Sequence, residues 1–376
     1  MKHARWQLVV VAVTQVVALG ALAAEGRRPQ VLTREQHARA VAGARSGRGS
    51  ELSALSRTLA AAGLNALPGR LPTFPQWTGA FSWQGVQYPF VMAGGDPRRG
   101  GETTVKTVLI PLRMVFEGFL DAAGNTIAIE TQGDVPAILG SPDFVEGEYS
   151  VGEGQFGDAV QRASFYRAMG NDWHTRLGRP RVAPQVTILV PPGSGQVVEV
   201  DGQYFGHVDP NFMLTQAYAL FPLYAGTDEL PLAVSRNVDI YVYTGYHGAF
   251  EVQRGGRAGI QTWLWAEWTD AFDAAILTHE VAEWLADPYL TNATVAWASA
   301  GQGSFCNNLL EVSDPVEFLP RGYTQVRVRG RTYWVAVSAL ISWFSGDTSG
   351  TFRHAYSYPD LGALTGPLTP CPYPFP

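Results

Sequence analysis

His279, Glu280 and Glu283 are the residues of this chain whose types and spacing best suit chemistry. His279 and Glu283 are four apart, so on a helix they project from one face as neighbours. That spacing lets two side chains bind one metal ion. In the pattern His-Glu-x-x-His, the outer residues hold zinc and the Glu between them is the general base. Here Glu283 stands where that pattern has its second His. Carboxylate oxygen is an accepted zinc ligand, so the chemistry survives at a harder, more anionic site. The plain alternative is an exposed i, i+4 His–Glu pair worth a few tenths of a kcal/mol.

A helix must carry these groups. Thr269 or Asp270 is read as its cap. Pro288 is read as its stop, with Asp287 biased out of the helical region. Leu277, Val281 and Trp284 fall on one stripe, and Phe272, Ile276 and Leu285 add apolar surface on other sides. Little circumference is left for solvent, so the helix is expected to be buried. Three unpaired ionisable groups on a buried helix are costly, and a metal ion removes that cost.

Other segments must complete the site. Glu311, a carboxylate in a short apolar segment downstream, is read as the third metal ligand. Asp314, three residues on, is read as the partner that orients His279 through its free ring N–H. The alternative for both is a surface acidic turn before Pro315. His247 sits between glycines in Gly245-Tyr246-His247-Gly248, at the end of a strand over residues 238–243. It is read as accessible, a ligand or an oxyanion stabiliser, with Tyr246 as the other candidate for the oxyanion. A loop His bonded to backbone is the alternative. Trp263, Trp265 and Trp268 suit a bulky strand face or a core wall, with a carbohydrate platform as the rival. Gly152-Glu153-Gly154-Gln155-Phe156-Gly157 matches G-x-G-x-x-G ahead of a helix over 158–169, but no βαβ alternation surrounds it. It is read as a loop and helix cap, with Gln161 and Arg162 as polar contacts.

The 376 residues allow one large domain or two. Residues 1–23 read as a secretory signal: Lys2 and Arg5, an apolar run, then Ala21-Leu22-Ala23. The run is short for a spanning helix, so no stable membrane insertion is expected after its removal. The formal charge is −6, and losing Lys2 and Arg5 leaves 25 basic against 33 acidic residues, or −8. That balance excludes nucleic-acid binding as a leading function. Cys306 and Cys371 are the only cysteines. In an exported chain they are expected to pair, and they lack the C-x-x-C spacing of a zinc site. Asn292-Ala293-Thr294 is formally a glycosylation acceptor.

Residues 24–75 read as a helical N-terminal or prosegment-like region, with Thr33 and Ser50 as caps. Residues 76–376 read as a single domain with a Pro-rich tail. Its strand signals include hairpins about Gly85, Asp201-Gly202 and Arg329-Gly330. Residues 105–116 form a strong strand candidate, and Pro111 within it suggests a bulge or an edge. Residues 186–190 read as a buried strand, and Asp209-Pro210 starts a helix.

Residues 244–344 resemble a broad group of secreted proteins that includes the plant phosphate-induced, Exordium-like proteins and related bacterial and fungal exported proteins. The resemblance rests on Gly245-Tyr246-His247, His279-Glu280-Val281-Ala282-Glu283, Asp287-Pro288, Glu311 with Asp314, and a hairpin with Gly330 and Tyr333. It implies an exported protein with a metal site. The expectation is an α+β fold, mainly antiparallel sheet with a buried active-site helix, zincin-like, after a short helical N-terminal segment. The expected function is a secreted zinc-dependent hydrolase of peptide or protein substrates. His279, Glu283 and Glu311 would hold one ion, with Glu280 as general base. The alternative is a non-catalytic, metal-stabilised extracellular binding or signalling protein. A glycosidase fits poorly, because Glu280 and Glu283 lie on adjacent turns of one helix rather than on opposite sides of a sugar. Oligomeric state is not set by the sequence.

Overall fold

The computed structural model describes residues 27–33, 71–170, 172–240, 243–298 and 306–371. The signal over 1–23, the expected helices over 34–70 and the end of the tail lie outside these. Strand β1 (Gln30–Leu32) falls just ahead of the expected first helix. Next come β2 (Gln76–Trp83), β3 (Val86–Ala93), β4 (Glu102–Leu120) and β5 (Thr126–Glu130). Then follow β6 (Gly147–Tyr149), β7 (Gly152–Gly154), β8 (His174–Leu177), β9 (Arg181–Val182) and β10 (Val186–Val190). The chain continues with β11 (Gly195–Val200), β12 (Gln203–Val208), β13 (Glu229–Arg236), β14 (Val238–Asp239), β15 (Gly245–Arg254) and β16 (Arg257–Trp268). Then come β17 (Ala293–Ala298), β18 (Cys306–Leu309), β19 (Tyr323–Val328) and β20 (Arg331–Ala336). Three helices matter for the site: Phe156–Ser164, Pro210–Tyr224 and the central helix Ala275–Ala286.

The fold is α+β. Eight of fifteen strand ladders among the described residues are antiparallel. The sheet that supports the candidate site is mixed, in the order β10-β4-β13-β16-β15. Its inner pairs are parallel, and β15 closes the edge antiparallel to β16. Parallel strands buried on both faces read as continuous apolar runs rather than alternation, which is why residues 105–116 carry so little polar character.

Pro111 lies neither at an edge nor in a bulge. It is the last residue of β4 paired with β13, and β4 takes up β10 and β5 immediately after it. A residue with no N–H is tolerated at this exchange of partners because the ladder changes hands there.

Pleating sends alternate side chains to two cores. Trp263 and Trp265 join the layer under the 210–224 helix, where Trp263 stacks on Phe221 at 5.1 Å. Leu264, Ala266 and Trp268 join the layer that holds Leu277, Val281 and Trp284 of the central helix. The tryptophans are core walls, exposed by 3% or less, and no sugar platform.

The central helix begins at Ala275, later than Thr269 or Asp270. Thr269 instead accepts the Phe272 N–H at 3.0 Å in a preceding turn, and Asp270 pairs with Arg236 at 2.7 Å. Asp273 accepts N–H groups from Ala274 and from Trp334 of β20, tying the helix start to the β19–β20 hairpin. All twelve helical residues are buried.

The C-terminal carbonyls of a buried helix need donors. Gln161 Nε2 donates to Leu285 O at 3.2 Å and to Ala93 O at 3.1 Å. Asn292 Nδ2 donates to Ala286 O and Val91 O, both at 2.7 Å. Asn292 is therefore a buried strut, 3% exposed, and no glycan acceptor. Gly157 lets the two helices close: a Cβ there would lie 2.5 Å from Leu285 Cδ1. The 156–164 helix is shorter than read. The glycines before it form the antiparallel β6–β7 hairpin, which is no nucleotide loop.

Cys306 and Cys371 are joined in a disulfide. No helix among the described residues is long and apolar enough to cross a membrane.

Candidate metal centre

The central helix presents His279, Glu280 and Glu283 to β15 and to the loop after β18. Glu283 Oε2 lies 3.2 Å from His279 Nε2. Its other oxygen, Oε1, accepts the N–H groups of Ser313 and Asp314, each at 3.1 Å. The loop therefore clamps one oxygen and leaves the second aimed at the imidazole. Ser313 Oγ reaches His279 O at 3.4 Å, a second tie between loop and helix.

Asp314 brings Oδ1 to 3.5 Å from His279 Nε2, the same nitrogen that faces Glu283. Asp314 was expected on the other ring nitrogen. The helix and loop instead gather His279, Glu283 and Asp314 so that one ligand atom from each lies within 4.8 Å of the others. Glu311 faces elsewhere, with Oε2 3.8 Å from His247 Nε2.

His247 was expected in an accessible loop. It lies inside β15, opposite Leu264 of β16, and is 3% exposed. Nδ1 is 3.4 Å from Glu280 Oε2 and 3.8 Å from Glu283 Oε2. Nε2 is 3.3 Å from Asp287 O. His247, Glu280 and Glu283 form a second group whose ligand atoms lie within 4.8 Å. The adjacent residue points away, as pleating requires. Tyr246 packs against Trp263 and Tyr243, in the core on the opposite face. The structure does not bring Tyr246 to the cluster.

Two features of this cluster are not marked by residue type or spacing alone. Gly245 is one: a Cβ there would lie 2.6 Å from Glu280 Cγ, so the missing side chain is what admits Glu280. A glycine two residues from His247 on the same pleat was the available signal. Asp287 is the other. Its carboxylate folds back to accept the N–H groups of Thr291 and Asn292 at 2.9–3.1 Å, closing the helix end.

The electrostatics are one-sided. Glu280, Glu283, Glu311 and Asp314, four carboxyls, face two imidazoles. His247, His279, Glu280, Glu283 and Glu311 are 3–7% exposed. The Asp314 side chain, 23% exposed, marks the flank nearest solvent. Among the described residues no lysine or arginine pairs with Glu280, Glu283 or Glu311. Glu280 Oε2 is buried with no hydrogen-bond partner.

Burial pushes the Glu280 carboxyl up to about 7, against the pull of His247 and His279. Burial and the charge of Glu283 push Asp314 up to about 6. Glu311 is driven well above the ordinary range by burial, then by Glu283 and Asp314. Burial disfavours charge on His279, but Glu283 and Asp314 outweigh it and hold the imidazole well above its usual value. Burial would likewise raise Glu283, yet His279 and His247 keep it low. A set of acids that resist ionising together in a dry interior is a site short of positive charge. Imidazole nitrogen with carboxylate oxygen is a donor set that zinc accepts.

No known family, curated protein or solved structure matches this chain.

Proposed function

We propose that this protein is a secreted zinc-dependent hydrolase acting on peptide or protein substrates. The observation that carries the reading is the convergence of His279, Glu283 and Asp314 within a buried cluster of four carboxyls and two imidazoles. Removing one partner from such a cluster leaves uncompensated buried charge, so a divalent cation is the natural complement. A zinc ion there would lower the pKa of a bound water toward roughly 7.

The chain's own residues supply the rest. Glu280 would be the proton carrier: it follows His279 on the same buried helix, and its Oε2 has no hydrogen-bond partner. With zinc bound, it would accept the proton of the metal-activated water and return it to the leaving amine. The backbone N–H groups of Ser313 and Asp314 fix Glu283, and Asp287 O fixes the ring of His247. Two carboxylate ligands neutralise more of the ion's charge than two imidazoles would, so turnover is expected to be lower than at a two-His site. A buried helix carrying His279, Glu280 and Glu283, packed under a mixed sheet with edge strand β15 beside it, supports the zincin-like reading. The disulfide fits an oxidising compartment and so supports secretion.

One observation favours a second reading. Five of the six clustered side chains are 7% exposed or less, as in closed structural metal sites. That supports a non-catalytic, metal-stabilised extracellular protein. Glu280→Gln separates the two. Retention of the His279-centred ion with loss of cleavage of an unfolded protein substrate supports the hydrolase. Metal in a wild type that cleaves nothing supports the other.

A further inference from the structure

The two groups of ligating atoms share Glu283. With Oε1 clamped by Ser313 and Asp314, Oε2 stands between two imidazoles, 3.2 Å from His279 Nε2 and 3.8 Å from His247 Nδ1. A single ion on His279, Glu283 and Asp314 uses only one of these imidazoles.

His247 gives the sharper indication. Asp287 O, 3.3 Å from Nε2, can only accept, so the ring donates its Nε2 proton there. In the neutral ring the lone pair is then on Nδ1, facing Glu280 Oε2 at 3.4 Å and Glu283 Oε2 at 3.8 Å. A metal-binding His has this arrangement: one nitrogen donates to a carbonyl and the other is free to ligate. Three acceptor atoms converge there, and Glu280 Oε2 has no hydrogen-bond donor.

We propose that His247 Nδ1, Glu280 and Glu283 form a second divalent-cation subsite, and that Glu283 bridges it to the ion on His279 and Asp314. The donor set of one imidazole and two carboxylates suits zinc. His247 is then a ligand rather than an oxyanion stabiliser. With the second ion bound Glu280 is its ligand, so the proton-carrier role belongs to the one-ion form. This subsite rests on the metal-hydrolase reading.

The test is metal stoichiometry in the full chain, stripped with chelator and titrated with Zn²⁺ by calorimetry and elemental analysis. Wild type is expected to bind two ions. His247→Ala and Glu280→Gln are each expected to bind one, with far-ultraviolet circular dichroism unchanged. Saturation of wild type at one ion, or two ions retained in both variants, overturns the second subsite. Saturation at one ion that survives His247→Ala and is lost in His279→Ala leaves the hydrolase reading standing. A wild type that binds no ion removes both.

Discussion

Gly245 and Glu280 fit together because one has no side chain: a Cβ on Gly245 would lie 2.6 Å from Glu280 Cγ and closer still to Oε1. The clash reaches Glu280 Cγ and Cδ as well as the carboxyl tip, so Gly245→Ala must displace a whole buried side chain. Glu280 must swing away, and misplacing a catalytic group by about 1 Å can cost ~100-fold. Gly245→Ala is expected to lose hydrolysis on that scale and to lower the melting temperature, since overpacking a core typically costs about 1–3 kcal/mol. Near-wild-type turnover would show that Glu280 does not act from this position.

Gln161 connects three elements through one amide, which donates to Leu285 O and Ala93 O. Gln161→Met keeps the bulk and removes the donor. Leaving buried carbonyls unsatisfied costs about 1–3 kcal/mol. Urea unfolding should show a lower midpoint at unchanged slope, with zinc content of the folded protein unaltered.

What the sequence made legible follows from what is local. The hairpins at Gln84-Gly85, Asp201-Gly202 and Arg329-Gly330 all place two residues at positive φ, a signal two residues long. The apolar stripe of the central helix is local too. The parallel core is not: partners of β4 come from residues 174–190 and 229–236, and the run around Pro111 carries no mark of them. The same limit hid the facing of Tyr246 and His247. Which of two adjacent residues meets the helix depends on the register of β15 against β16, fixed by pairings such as His247 with Leu264. Glu311 and Asp314 were open to exchange because both lie in irregular backbone, where no period assigns a direction.

Asp143 offers a pH test away from the metal cluster. It is 1% exposed, and neither carboxylate oxygen has a hydrogen-bond partner. Burial drives its carboxyl well above the ordinary value. The folded form then keeps a proton that the unfolded chain loses near pH 4. Fewer protons bound in the unfolded state mean that stability falls as pH rises from there toward the folded value. Asp143→Asn should remove that decline and raise the melting temperature at neutral pH. Parallel pH curves for variant and wild type would sink the argument.

The disulfide closes a separation of 65 residues between β18 and the tail. Loop-closure entropy for that length is worth about 4 kcal/mol, with engineered cases often giving less. Replacing both cysteines with serine should lower stability by about 2–4 kcal/mol, read from denaturant unfolding under non-reducing conditions. Reducing agent should shift wild type to the variant's midpoint and leave the variant where it is.

Asp314 and Glu311 decide which acid completes the His279 site. Asp314 Oδ1 is 3.5 Å from His279 Nε2, whereas Glu311 Oε2 is 3.8 Å from His247 Nε2, the nitrogen that donates to Asp287 O. Asp314→Asn removes an anionic ligand and should abolish zinc binding at His279 under chelator competition. Glu311→Gln acts on His247 from outside the ligand atoms, and such partners typically tune affinity by about 10–100-fold. That variant should weaken the His247 subsite and keep the His279 ion. The reverse pattern, with Glu311→Gln losing the His279 ion and Asp314→Asn keeping it, would mean that the loop rearranges on binding and returns Glu311 to the ligand role its sequence position first suggested.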